Sequence, residues 1–254
     1  ETGIIVPTPT FNGQLQLLAG LKRKIIEIPA DHQGIDLERL EYFMQQGSAK
    51  LCLLTANFQN PLGYCLSNQQ KQKIAELAQK YQCFVLEDDI YAECSFQKER
   101  PLPIRYWDQQ GYVIWCGSVS KSLSSAYRVG WFCLGQQLQH LRPALLANNV
   151  GVNTPLQLGL ADFIYSRAYR EHLERLRPAL MQQVEQYRAC ILEQFQGIPI
   201  ALSQSSGGYA LWMQLPNTIT GLELYYRAQQ YGINIVPGEV FGEDQRYQHF
   251  LRLN

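Results

Sequence analysis

The sequence predicts an α/β protein, with a mixed and mostly parallel sheet flanked by helices and a smaller α+β region at the C-terminal end. Three observations predict this fold. Short apolar runs rich in β-branched and aromatic residues recur in the first half of the chain, which is typical of strands buried on both faces. One pair of runs encloses a helical pattern, as in a βαβ unit. After residue 151 the apolar residues follow a helical period over a long stretch.

Six apolar runs are predicted strands because Gly, Pro, Asn or Asp bounds each of them. They are residues 4–6, 24–28, 51–55, 83–86, 112–116 and 129–134. Between the third and fourth runs, Ser67 and Gln70 form a capping-box pattern ahead of apolar residues at helical spacing, which predicts a parallel βαβ unit. The connection from Lys121 to Val129 is too short for a helical crossover, so the sixth strand is predicted to be antiparallel.

The second half of the chain is predicted to be a smaller α+β region attached to a long helix. Thr154 and Pro155 are interpreted as the N-cap and first residue of that helix. Its periodicity continues to about residue 195, and Pro178 is expected to kink or break it. A strand with a Gly-Gly break at 207–212, a helix at 222–231 and short strands at 233–236 and 250–253 complete the pattern. We therefore expect a large domain at residues 1–178 and a small domain at 179–254.

Composition argues against several classes of protein. The chain has 254 residues with 22 Lys+Arg and 22 Asp+Glu, and this neutral balance argues against a dominant nucleic-acid or membrane surface. No apolar run approaches the roughly 18 residues of a membrane helix. Seven cysteines without CxxC spacing predict reduced thiols and a cytoplasmic protein. The four histidines are scattered, so no metal site is expected.

Both ends of the sequence fall inside predicted strands. The chain lacks an initial Met, its first apolar run begins at residue 4, and its last run ends one residue before Asn254. Since natural chains rarely begin and end inside core elements, we expect an N-terminally truncated fragment of a longer polypeptide.

Chemically active side chains follow three of the predicted strands. They are Asn60 after the third run, Asp88 and Tyr91 after the fourth, and Ser118, Ser120, Lys121 and Arg128 after the fifth. Taken singly, each has an ordinary explanation as a turn residue, a solvated acid, an exposed lysine or an ion-pair partner. Because the carboxyl ends of parallel strands form the ligand-binding edge of such sheets, their convergence favours a ligand site.

Pyridoxal phosphate is one ligand that uses all of these groups. A lysine amine forms a Schiff base with its aldehyde, and a carboxylate keeps its pyridine nitrogen protonated. A phenol and an amide can hydrogen-bond its 3-hydroxyl group. Serine hydroxyls and an arginine suit its phosphate. The sequence therefore predicts this cofactor.

The motifs resemble those of the fold-type-I, pyridoxal-phosphate-dependent aminotransferases. The resemblance rests on Asn60-Pro61-x-Gly63, Asp88-x-x-Tyr91 and Ser118-x-Ser120-Lys121 with Arg128 and Gly130, and, near the end, on Gly207-Gly208-Tyr209, Pro237-Gly238 with Phe241, and Arg252-Leu253-Asn254. It covers essentially the whole chain and implies the aminotransferase class I/II fold.

The resemblance also implies a role for each matching residue. Lys121 would form the Schiff base and carry the proton in catalysis, and Asp88 would pair with the pyridinium nitrogen. Phe11 would stack on the ring. The remaining implied ligands are Asn60 and Tyr91 at the 3-oxygen, Ser118, Ser120 and Arg128 at the phosphate, and Arg252 at the α-carboxylate of an amino acid.

Two departures from the family pattern affect the phosphate end of this site. The family often has Pro-Gly or Ser-Gly shortly before the phosphate arginine, whereas this chain has Ser125, Ala126 and Tyr127 before Arg128. The added Cβ of Ala126 stands where the backbone could pass close to a cofactor. The family's phosphate cup also uses an upstream loop that the expected truncation would remove.

Sequence segments beyond these motifs are similar to those of the MocR subgroup of bacterial GntR-type transcriptional regulators. The matching segments are residues 57–64, 86–91, 128–131 and 169–173. The resemblance implies a domain that senses an amino acid or amine, forms a homodimer and reaches DNA only through an upstream domain. An active aminotransferase is the alternative, and a scaffold that no longer holds cofactor is a third hypothesis.

Overall fold

The computed structural model describes residues 2–148, 151 and 153–254 and contains a seven-stranded sheet followed by a four-stranded one. The strands of the first sheet are β1 (Gly3–Thr8), β2 (Ile25–Asp31), β3 (Gly34–Ile35), β4 (Ala49–Leu54), β5 (Phe84–Asp88), β6 (Val113–Ser118) and β7 (Gly130–Cys133). Their order is β3-β2-β1-β4-β5-β6-β7. The β2–β3 and β6–β7 pairs are antiparallel and the other four pairs are parallel. The predicted mixed sheet with an antiparallel β7 is confirmed.

The centre of the seven-stranded sheet is buried by apolar residues, as the strand pattern predicts. Ile5, Cys52 and Val85 in β1, β4 and β5 are fully buried. β7 differs, because all four of its residues are exposed, although its apolar run predicted a strand buried on both faces. Its Cys133 is therefore an exposed thiol.

Three helices connect the strands of this sheet: α1 (Asn12–Gly20), α2 (Leu37–Gln45) and α3 (Asn68–Tyr81). α3 begins at the predicted capping box, in which Ser67 Oγ accepts from the Gln70 amide at 3.2 Å and Gln70 Oε1 accepts from the Ser67 amide at 2.8 Å. The predicted βαβ unit of β4, α3 and β5 is confirmed. The short helices α1 and α2 and the two-residue strand β3 were not predicted.

The long helical stretch differs from the prediction in two ways. It consists of α5 (Thr154–Tyr165) and α6 (Arg167–Gln194), and a short helix that was not predicted, α4 (Arg142–Asn148), precedes it. The N-cap of α5 is Asn153 rather than Thr154, because the Asn153 side chain accepts from the Leu156 amide at 3.0 Å. The break falls at Ser166, whose backbone is extended and whose hydroxyl oxygen caps α6. α6 continues through Pro178, so a break there is wrong, while the alternative, a kink, stays a prediction.

The C-terminal sheet has the order β10-β11-β9-β8 and its pairs are antiparallel. Its elements are β8 (Ala201–Leu202), β9 (Leu211–Gln214), α7 (Gly221–Gln229), β10 (Val236–Pro237) and β11 (Phe250–Leu253). The strand predicted at 207–212 begins only at Leu211, and the strand predicted at 233–236 is reduced to Val236–Pro237. Helix α6 runs through residue 178, and the division into domains at that residue stays a prediction.

Within the described ranges, no helix is both long and apolar enough to span a membrane.

Candidate functional site

The carboxyl ends of β4, β5 and β6 meet at a cavity of about 200 Å³. It is lined by Phe11, Thr55, Asn60, Asp88, Ile90, Tyr91, Lys121, Tyr209, Ala210, Arg252 and Asn254. Six of the nine predicted site residues are among them: Phe11, Asn60, Asp88, Tyr91, Lys121 and Arg252. The strands bring the first five together, and β11 contributes Arg252 from the other sheet.

Lys121 follows β6 by three residues and presents its amine between two aromatic rings. Its Nζ lies 5.4 Å from the centroid of the Tyr91 ring and 5.8 Å from that of the Tyr209 ring. No hydrogen bond or ion pair engages this amine among the residues that the structure describes. Its backbone is fixed in place, since the Lys121 carbonyl oxygen accepts from the Cys94 thiol at 3.5 Å. A primary amine with no partner is available to a ligand.

Asp88 is the last residue of β5 and carries a carboxylate with unused hydrogen-bonding capacity. Its Oδ1 accepts from the Ile90 amide at 3.3 Å. Burial raises the pKa of this carboxyl, and the neighbouring Asp89 raises it further, while the Ile90 amide and the Lys121 charge oppose the shift. A cationic group in the cavity would favour the ionised form.

Tyr91 and Asn60 add a phenol and an amide to the same wall, and both are buried. Burial raises the pKa of Tyr91 to about 12, although the nearby Arg252 charge lowers it. The phenol is therefore protonated at neutral pH and can donate a hydrogen bond into the cavity.

Arg252 is a half-buried cation whose guanidinium is only partly satisfied. Its Nη1 donates to Asn60 Oδ1 at 3.3 Å, and its guanidinium carbon lies 5.7 Å from the centroid of the Phe241 ring. Its Nε is buried and has no hydrogen-bond partner. Burial lowers the pKa of Arg252. Because a buried unpaired donor is costly, this arrangement fits an incoming carboxylate.

The three residues predicted at a phosphate lie outside the cavity lining. Ser118 Oγ is 2.8 Å from Ser120 Oγ and 2.9 Å from the Val129 carbonyl oxygen. Arg128 is exposed, has a left-handed backbone with φ 53°, and donates from Nη1 to the Ser125 carbonyl oxygen at 3.4 Å. Their role in holding a phosphate stays a prediction.

A buried polar network lies behind the cavity, centred on Asp89. Its Oδ1 accepts from Asn57 Nδ2 at 2.7 Å, and its Oδ2 accepts from Trp115 Nε1 at 2.8 Å and pairs with Arg100. Asn57 Oδ1 in turn accepts from Lys71 Nζ at 2.7 Å. Asp89 is therefore part of the scaffold.

Tyr209 and Ile90 line the cavity although the sequence did not single them out as site residues. Tyr209 packs its ring edge-on against Tyr91, with centroids 5.6 Å apart. Tyr209 is the last residue of the Gly207-Gly208-Tyr209 motif, which carried the family resemblance but gave this residue no role in the site.

The residues present fit pyridoxal phosphate at its reactive end. The cavity joins an unpartnered primary amine (Lys121), a strand-end carboxylate (Asp88) and a guanidinium with an orphaned Nε (Arg252). Amine, carboxylate and guanidinium are the groups that would bind an aldehyde, a ring nitrogen and a carboxylate. Elsewhere in the described chain, no cluster of three or more His, Cys, Asp or Glu could hold a metal ion.

Sequence comparison links the chain to two groups of proteins. The sequence model of a family described as aminotransferase class I and II matches residues 1–254. The chain is 34% identical over 252 residues to the HTH-type transcriptional regulator YdcR of Escherichia coli K12, covering 99% of this chain and 54% of the regulator. It is 26% identical to aromatic-amino-acid aminotransferase 1 of Thermococcus litoralis, covering 99% and 61%. It spans about half the length of the regulator.

Solved structures show the same fold. The multiple substrate aminotransferase of Thermococcus profundus matches with a TM-score of 0.89 and 27% identity, over 100% of this chain and 64% of that one. The α-aminoadipate aminotransferase LysN of Thermus thermophilus, solved with N-(5'-phosphopyridoxyl)-L-leucine, matches with a TM-score of 0.89 and 25% identity, over 100% and 66%. The fold class predicted from the sequence is confirmed.

Proposed function

Because the chain belongs to the aminotransferase class I and II family, we propose that it is the pyridoxal-phosphate-binding effector domain of a GntR/MocR-type bacterial transcriptional regulator. One observation carries the proposal: Lys121, Asp88 and the incompletely satisfied Arg252 line the same cavity. Such a set can hold the cofactor and the carboxylate of an amino acid together. The regulator part rests on YdcR and on the 32% identical HTH-type regulator YjiR.

Each residue has a task that follows from its position. The Lys121 amine would attach the cofactor and move a proton at the ligand's Cα, since Lys121 is the lysine that lines the cavity. Asp88 keeps the ring nitrogen protonated, and bound pyridoxal phosphate supplies an electron sink. Tyr91 and Asn60 hold the ring oxygen, while Phe11, exposed at the cavity rim, covers the ring. Ser118, at the end of β6, and Ser120 and Arg128, in the connection to β7, would hold the phosphate.

Arg252 binds the α-carboxylate of the sensed amino acid. Its orphaned Nε and the Nη2 on the same edge of the guanidinium can donate together to one planar anion, while Nη1 donates to Asn60. Because Arg252 is on β11 and Lys121 follows β6, a ligand that binds both connects the two sheets. The sensing step therefore requires that the ligand prefer one arrangement of these sheets over another.

The rest of the proposal concerns the longer protein. DNA binding belongs to a separate upstream domain, which agrees with a net charge of zero in this chain. We also propose a homodimer in the cytoplasm, and the seven unpaired cysteines support a reducing compartment.

Absorbance spectroscopy with added pyridoxal phosphate tests the cofactor site. The wild type is expected to show the band of lysine-bound cofactor, Lys121→Ala to lack it, and the exposed-lysine control Lys24→Ala to keep it. A band that survives in Lys121→Ala, or no band in the wild type, would overturn the proposal.

Amino-acid titration of the loaded protein then tests Arg252. In the wild type, amino acids are expected to change the spectrum at millimolar or lower concentration, whereas Arg252→Ala keeps the band and loses this response. Arg246→Ala, at an exposed ion pair, is the control. An unchanged response in Arg252→Ala would remove Arg252 from the site.

An active aminotransferase is the second candidate, favoured by the TM-score of 0.89 with two solved aminotransferases. Release of a 2-oxo acid in repeated turnovers from an amino acid and a second 2-oxo acid would support the enzyme. Spectral change without turnover would support the sensor.

A further inference from the structure

The turn formed by residues 205–209, called here the Tyr209 turn, is bound to two of the loops that carry predicted ligands. Gly208 donates from its amide to the Cys94 carbonyl oxygen at 2.9 Å, and Ser206 accepts from the Phe96 amide at 2.9 Å. Ser205 Oγ donates to the Gly63 carbonyl oxygen at 3.0 Å. The turn therefore joins the loop after β4 to the loop after β5.

Two glycines allow this turn to approach so closely. A Cβ at Gly207 would stand 2.5 Å from ring atoms of Phe58, and Gly208 has φ +71°, which side chains rarely adopt. Gly207 also forms an isolated antiparallel bridge with Ser95. The close contacts on both sides fix the position of the next residue, Tyr209, before any ligand arrives.

Tyr209 in that position forms one wall around the Lys121 side chain. Its ring centroid lies 5.8 Å from Lys121 Nζ, and Tyr91 faces the same atom at 5.4 Å from the other loop. The two rings meet edge-on at 5.6 Å. A lysine has a flexible four-carbon stem, and two ring faces against its amine restrict where that amine can stand.

We propose that Tyr209 is a positioning residue that holds the Lys121 amine at the point where a cofactor aldehyde is attached. This inference rests on the proposed function. In the attachment, the Lys121 nitrogen bonds to the aldehyde carbon, and the two hydrogens of the neutral amine leave with the aldehyde oxygen as water. Because Tyr209 lies in the connection between β8 and β9, the placement of the reactive amine depends on the C-terminal sheet.

Attachment and simple binding are measured separately in the wild type, Tyr209→Ala, Tyr209→Phe and the exposed control Tyr226→Ala. Attachment is measured as the rate at which pyridoxal phosphate labels Lys121. The labelled lysine is trapped by borohydride reduction, and its peptide is quantified by mass spectrometry. Binding is the affinity for pyridoxine 5'-phosphate, which has no aldehyde. Tyr209→Ala is expected to slow labelling roughly tenfold with unchanged affinity, because the lysine regains rotamer freedom. Tyr209→Phe and Tyr226→Ala are expected to behave as the wild type.

Other outcomes overturn the inference in distinguishable ways. Equal labelling of Tyr209→Ala and the wild type would exclude positioning by Tyr209 and leave the proposed function intact. A parallel loss of labelling and of pyridoxine 5'-phosphate affinity would show a structural role instead. A wild type that is not labelled at Lys121 would overturn the proposed function itself.

Discussion

Asp88 and Asp89 are neighbours in the chain, yet one faces the candidate site and the other belongs to the scaffold. Asp89 is buried and accepts from Asn57 and Trp115 while pairing with Arg100. Among the described residues, the Asp88 carboxylate accepts one hydrogen bond, from the backbone amide of Ile90 at 3.3 Å. Unmet hydrogen-bonding capacity, rather than charge itself, therefore distinguishes a binding group from a structural one.

The largest difference in stability is expected between the two variants that each remove one aspartate charge, Asp89→Asn and Asp88→Asn. Asp89→Asn removes the buried carboxylate that accepts from Asn57 and Trp115 and pairs with Arg100. We expect a loss of about 3 kcal/mol in the free energy of unfolding, near the lower end for broken buried pairs, because Arg100 is partly exposed and keeps its ion pair with Glu93 at 2.9 Å. Asp88→Asn should leave that free energy unchanged or slightly raised, since burial disfavours the Asp88 charge. Urea unfolding of both variants measures the difference, and equal losses would contradict the comparison.

Glu87 extends the comparison to pH. It is buried, accepts from the Ile104 and Arg105 amides at 2.7 and 3.0 Å, and has its pKa raised by burial from 4.5 to about 8. A carboxyl with a raised pKa in the folded state stabilises fully below its unfolded pKa and loses that contribution as pH rises through the folded pKa.

We therefore expect the stability of the wild type relative to Glu87→Gln to fall by on the order of 2 kcal/mol between about pH 4.5 and 8. Urea unfolding of both proteins across this range checks the sign. A relative stability that is flat, or that rises with pH, would show that Glu87 is ionised in the fold.

The capping box of α3 gives the same contrast at a smaller scale. Ser67 both donates to and accepts from Gln70, so Ser67→Ala should cost about 1 kcal/mol in the free energy of unfolding. Asn68→Ala, at the next and equally exposed position, should change it by less than about 0.5 kcal/mol. Thermal or urea unfolding measures both variants, and equal free energies of unfolding would contradict this prediction.

The smallest effect is expected at an exposed ion pair. Arg167 Nε lies 2.6 Å from Glu171 Oε1, but the Arg167 side chain is 85% exposed. Arg167→Ala should therefore lower the free energy of unfolding by at most about 0.5 kcal/mol relative to the control Arg170→Ala. This difference between the two variants should vanish in high salt. A salt-independent loss above about 1 kcal/mol would mean that exposure is a poor guide to the energetics of this surface.

The sequence predicted those features that depend on local patterns. The capping box at Ser67 and the strands that contain Cys52 and Val85 could be predicted from patterns of a few neighbouring residues. Pro178 shows the limit of such reasoning. It removes one backbone donor, yet the 28-residue helix α6 continues through it, with buried residues Leu173 before it and Val184 after it. Packing of a buried helix face can outweigh the loss of one backbone hydrogen bond.

The candidate site was predictable where parallel strand ends converge and less so where a distant segment completes it. Asn60, Asp88 and Lys121 follow neighbouring parallel strands, so their meeting could be inferred. Tyr209 reaches the cavity through a turn packed on two loops far earlier in the chain, and no local periodicity encodes such a contact. Arg128 is exposed and has a left-handed backbone, a conformation that its residue type does not predict.

The hydrogen bond between Arg252 and Asn60 joins residues 192 positions apart. A contact of this span forms only after both sheets have formed, because closing so long a loop is entropically unfavourable until other contacts support it. The end of the cavity that contains Arg252 should consequently be among the last parts of the molecule to form during refolding. Recovery of amino-acid binding would then report completed folding, and it would lag behind the recovery of helix and strand signals.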